Sequence, residues 1–92
     1  MRKKSIIQFS IKKIVKADEE SSLTWIDGDV LSRGLSGKIG LYLKEDGTPV
    51  LSEQDWNIDQ DLKNLGLNPD STRALGLVED WIQFVRGQGV VS

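Results

Sequence analysis

Residues 69–86 read PDSTRALGLVEDWIQFVR, and this stretch decides the fold class. At about 100° per residue, Ala74, Leu75, Leu77, Val78, Trp81, Ile82, Phe84 and Val85 fall within one half of a helical wheel. Thr72, Arg73, Gly76, Glu79, Asp80, Gln83 and Arg86 fill the other half. So complete a separation predicts an amphipathic helix lying on an apolar surface. Asn68 suits an N-cap and Pro69 a first helical position, which places the helix over 69–86. Gly87 is expected to end it and to leave 87–92 as a loose tail.

A shorter helix is expected just before. Ile58, Leu62 and Leu65 share one helical face, and Gly66 stands where a left-handed C-terminal cap belongs. Ser52 followed by Asp55 resembles a capping box and suggests an early start. A start that early includes Trp56 and turns it roughly 160° away from the apolar face. Trp56 is then either an exposed anchor or, if the helix begins later, a residue packed at the strand–helix corner.

The surface those helices need lies in the first half. Residues 5–15 alternate, with Ile7, Phe9, Ile11 and Val15 on one face and Gln8, Ser10 and Lys12 on the other. Ser22 to Ile26 reads as a second strand, and Asp27-Gly28-Asp29 and Ser32–Gly37 read as loops. Alternation returns from Lys38 to Lys44, with Ile39, Leu41 and Leu43 on one face. Asp46-Gly47 then signals a hairpin to a short strand at Val50–Leu51, with Pro49 marking an edge. The expected fold is α+β: a three- to four-stranded, mostly antiparallel sheet followed by two C-terminal helices packed on one face. Ninety-two residues are expected to form one domain.

Composition narrows the chemistry. With 38% apolar and 28% charged residues the chain reads as globular, not disordered. The absence of Cys and His removes disulfides, thiolate and imidazole metal sites, and the commonest general base. No catalytic residue, cofactor or metal is therefore expected. The stretch Gly34-Leu35-Ser36-Gly37-Lys38-Ile39-Gly40 is not a phosphate loop, because Ser32 stands at the first glycine position and Ile39 at the magnesium-binding hydroxyl. Asp27-Gly28-Asp29 lacks the later ligands of a calcium loop and reads as a turn. Gln8, Ser10, Lys12 and Lys13 interrupt the apolar run after the basic start, so a signal peptide is not expected. No membrane span is expected either, and a soluble cytoplasmic location is the reading.

Charge is unevenly distributed. Arg2, Lys3, Lys4, Lys12, Lys13 and Lys16 are unopposed over residues 1–17, whereas the rest carries six cations against fourteen acids. The expected function is a small non-enzymatic binding or regulatory domain acting through a protein partner. Its candidate contact set is Trp56 with Asp55, Asp59 and Asp61, an aromatic anchor among acids. A nucleic-acid-associated protein using the six N-terminal cations is the first alternative. Against it stands the use of Lys to keep an edge strand from aggregating. A homo-oligomer joined through a sheet edge, at the first strand or at Val50–Leu51, is the second alternative. Trp81 and Trp25 read as core.

Overall fold

The computed structural model describes residues 7–16, 20, 22–32 and 34–90. Four strands form an antiparallel sheet in sequence order: β1 (Gln8–Val15), β2 (Thr24–Ser32), β3 (Leu35–Leu43) and β4 (Pro49–Val50). A two-stranded hairpin, β5 (Ser52–Glu53) and β6 (Trp56–Asn57), leads into α1 (Ile58–Asn64) and then α2 (Thr72–Gly87). The α+β architecture matches the reading of the sequence, with β1 and β4 at the two edges.

Asp27-Gly28-Asp29 is not a loop; it lies in the middle of β2. The sequence read Gly28 as a break, but here it is a place where two elements touch. A Cβ at Gly28 would stand 2.6 Å from Cη2 of Trp81 and 2.5 Å from the Ser10 carbonyl oxygen. Glycine in a strand interior permits such close approach. The Ser32–Gly37 loop likewise shrinks, because Ser32 ends β2 and Leu35 begins β3. The hairpin at Asp46-Gly47 forms as expected, with Gly47 at φ 89° and its N–H donating to the Lys44 carbonyl at 2.9 Å.

A β-bulge changes the face of one residue. Ile11 pairs with Gly28 but Lys13 pairs with Asp27, so one residue of β1 is extra. Beyond it Ile14 faces Ile26 and Val15 faces Trp25. The alternation placed Val15 with Ile7, Phe9 and Ile11; the bulge moves it to the opposite face.

The helix-covered face carries the core. Ile26, Val30, Ile39, Leu41 and Leu43 of the sheet are buried with Ile58 and Leu62 of α1 and Ala74, Leu77, Val78, Trp81 and Val85 of α2. Phe9, Trp81 and Phe84 form an aromatic knot, with Phe9 5.3 Å from Trp81 and 5.6 Å from Phe84 between centroids. Leu75, placed by the wheel on the apolar side, is 58% exposed because it lies at the margin of that side.

Both helix starts fall later than expected. α1 is capped by Asn57, whose side chain accepts from the Asp59 N–H at 2.7 Å, and Ser52 belongs to β5. α2 is capped by Ser71, whose Oγ accepts from the Ala74 N–H at 3.1 Å. Asn68 instead closes a turn, its side chain accepting from the Asp70 N–H. Two capping residues three apart compete here, and Ser71 wins. The end of α1 follows the expectation: Gly66 has φ 89°, with Leu67 N–H bonded to Leu62 and Gly66 N–H to Lys63. The second helix retains Gly87, and Val90 beyond it packs against the core.

Gly28→Ala is expected to lower stability by about 1–3 kcal/mol through overpacking against Trp81. The measurement is the urea midpoint at constant slope. An unchanged midpoint would mean that the close approach of Trp81 to β2 is absent in solution.

Candidate functional site

The opposite face of the sheet carries an apolar row that the register dictates. Val15 pairs with Trp25, Trp25 with Tyr42, and Tyr42 with Val50, one residue from each strand. Residues paired across antiparallel strands share a face, so these side chains stand side by side. Trp56 comes to the same place from the β5–β6 hairpin, 5.3 Å from Trp25 and 5.6 Å from Tyr42 between centroids. Trp25 and Tyr42 are 4.8 Å apart. Trp25 is thus half-buried in this cluster and does not enter the core beneath the helices.

Two features fix the cluster. The outer edge of the Trp25 six-membered ring abuts Gly40, where any Cβ would collide with it. Trp56 donates its indole N–H to Oδ2 of Asp61 at 2.8 Å, and the same oxygen accepts the Gly40 N–H at 2.9 Å. On the other side of the sheet, the Trp81 indole N–H donates to the Gly40 carbonyl at 2.8 Å. Gly40 is therefore the point on which all three tryptophans converge.

Val15, Trp25, Tyr42, Asp55 and Trp56 line a half-open cleft of ≈ 350 Å³. That volume is at the small end for ligand sites and suits a single side chain. Asp55, in the β5–β6 turn, is exposed and accepts the Tyr42 hydroxyl, with both carboxylate oxygens at 3.1 Å. Burial, then the hydrogen bond to Asp55, then the negative charges of Asp55 and Glu53 push the Tyr42 phenol above its ordinary 10.0. Tyr42 thus remains a neutral donor throughout the physiological range.

Of the residues expected from the sequence, Trp56, Asp55 and Asp61 come together. Asp55 lines the cleft, whereas Asp61 holds Trp56 and β3 from behind. Asp59 is exposed in the first turn of α1 and does not line the cleft. Trp56 is half-buried, which resolves its position: the helix begins after it, and it packs at the strand–helix corner with one side in the cleft. Trp25, Tyr42 and Val15 were not among the expected site residues. The alternation that puts Ile39, Leu41 and Leu43 inside also puts Tyr42 outside, so that signal was present. Nothing in the sequence announces the bulge that delivers Val15.

The basic N-terminal set divides. Arg2, Lys3 and Lys4 lie outside the described residues, while Lys12, Lys13 and Lys16 are exposed. Lys12 pairs with Asp29 at 3.7 Å, and Lys13 stands opposite Asp27. Lys38 on β3 faces Asp29 from the other side. Acids of β2 thus alternate with cations of both neighbours and compensate charge locally. The exposed Lys12 pair itself adds little stability.

Among the described residues no three carboxylates gather where they could share a metal ion, and no helix is long and apolar enough to cross a membrane. No protein-family model, curated protein or solved structure matches the chain.

Asp61→Ala strands two donors and is expected to cost about 1–3 kcal/mol. It should also shift tryptophan emission to the red as Trp56 loosens, and Asp61→Asn, which keeps an acceptor, should do less. Unfolding curves read at the emission maximum check both. A second expectation concerns pH. Because the folded state holds the Tyr42 proton more tightly than the unfolded chain, that contribution is full below pH 10.0 and is lost as pH rises through the raised value. Tyr42 is the single tyrosine, so phenolate absorbance reports it alone. Asp55→Asn should lower its midpoint; an unmoved midpoint would place Asp55 elsewhere.

Proposed function

We propose that this chain is a small non-enzymatic binding domain that acts through a protein partner, with the Trp25–Tyr42–Trp56 cleft as its contact surface. The observation that carries the proposal is the position of three aromatic rings on the sheet face away from the helices. A domain of this size needs large aromatics in its core, and one such knot already exists around Trp81. The second cluster is half-buried and opens to solvent beside a carboxylate. Tryptophan and tyrosine in such settings contribute heavily to binding, because they bury much area while ordering few torsions.

The cleft is also preorganised. Asp61 fixes the Trp56 indole and Gly40 seats Trp25, so an occupant would order few further side chains. The Lys12–Asp29 ion pair, with Lys13 opposite Asp27 in the strand register, favours this reading over nucleic acid, since a phosphate there would meet nearby carboxylates.

A random peptide library displayed on phage tests the proposal. Selected peptides are expected to bind the native chain at micromolar strength and to lose about tenfold or more with Trp56→Leu. Glu79→Gln, on the exposed side of α2, should change nothing. Selected peptides that bind Trp56→Leu as well as the native chain would rule out the cleft as the contact surface.

A further inference from the structure

Which side chain would such a partner insert? The inference rests on the reading of the cleft as a contact surface and adds the chemistry of its occupant. Ring faces are electron-rich and attract cations. Here three rings are joined by the carboxylate of Asp55 at the lip and by Glu53, which lies close enough for its charge to act on Tyr42. Charge complementarity therefore calls for a cation. Of the described cations nearby, Lys16 follows the end of β1, two strands away from Tyr42, and Lys44, just beyond β3, acts on Asp46 of the hairpin turn. A positive group entering beside Asp55 would meet an acidic end.

Shape chooses among cations. Centroid separations of 4.8, 5.3 and 5.6 Å mean that the rings pack on one another and enclose no space among themselves. A rounded quaternary ammonium needs rings standing apart around it, which this cluster does not offer. A planar guanidinium needs only a ring surface to lie on and a carboxylate at its edge. Both Asp55 oxygens stand 3.1 Å from the same Tyr42 hydroxyl, which therefore occupies the convergent side of the carboxylate and leaves one outward lone pair on each oxygen for a further N–H donor. Val15 and Trp25 extend the row with apolar surface for a three-carbon stem.

We propose that the cleft takes an arginine side chain of the partner protein, its guanidinium lying on one ring face and donating an edge N–H to an Asp55 oxygen. Lysine fits less well, because its ammonium is a compact, strongly hydrated point charge with no plane to stack.

The probes are a blocked Gly-Arg-Gly peptide and its citrulline and lysine counterparts, titrated against the whole chain. The readout is the indole N–H resonances in proton–nitrogen spectra. The arginine peptide is expected to move the Trp56 and Trp25 signals and leave Trp81 in place. Citrulline, equal in shape but uncharged, should bind about tenfold more weakly, and lysine several-fold more weakly. Asp55→Asn should remove most of the difference between arginine and citrulline; because Asp55 is exposed, the variant is expected to fold. Equal affinity for arginine and citrulline, or an arginine preference untouched by Asp55→Asn, would overturn the assignment. Phage peptides that need Trp56 but carry no arginine would overturn it too, while the reading of the cleft as a contact surface survived. Peptides indifferent to Trp56 would remove both.

Discussion

The N–H of Gly40 donates to Asp61, its carbonyl accepts from Trp81, and Trp25 occupies the space where its side chain would stand. Gly40 pairs with Asp27 of β2 on one side, but β4 reaches only Tyr42 and Leu43, so the other side of β3 has no strand neighbour at Gly40. Backbone groups at an uncovered edge must find partners, and here side chains from both helices supply them. The first helix is pinned to β3 through Asp61, and the second through the Trp81 indole. The two faces of the sheet are thus built around one residue, and no side chain larger than hydrogen is compatible with all three contacts.

From that point the division of labour between the faces follows. Beneath the helices, Trp81 fills the gap left by Gly28 and stacks with Phe84, and Phe9 completes the knot from the edge strand. On the open face, the strand pairing lines up Val15, Trp25, Tyr42 and Val50, and the small β5–β6 hairpin folds Trp56 over them. Farther along the same face the row gives way to charge, with Asp27 and Asp29 between Lys12, Lys13 and Lys38. An apolar, acid-lipped end and a neutralised end therefore sit on one sheet surface.

Much of this was legible because its causes are local. The period of residues 69–86, the Asp46-Gly47 hairpin and the Gly66 cap each depend on a few neighbouring residues, and each forms. The misread segments are those whose conformation depends on distant residues. Gly28 resembles a loop glycine until Trp81 is placed on it, 53 positions away in sequence, counting from 28 to 81. Val15 changes face because one extra residue is absorbed upstream, which alternation cannot reveal. Ser71 and Asn68 are both good caps, and the choice between them is made where α2 meets the core. At the site, Trp56 and Asp55 stood out by residue type, whereas Tyr42 and Trp25 gain meaning only once their strands are in register.

The Gly40 bonds span 21 residues to Asp61 and 41 to Trp81. Contacts of that separation are slow to form, since chain entropy is lost before they return anything. The sheet hairpins and the C-terminal helix can assemble from local contacts, but Trp56 is held over the cleft only when the loop from Gly40 to Asp61 has closed. Its geometry thus depends on a contact that is distant in sequence. A molecule that occupies it binds the folded chain and so acts on the whole folding equilibrium, holding closed the loop that joins β3 to the first helix.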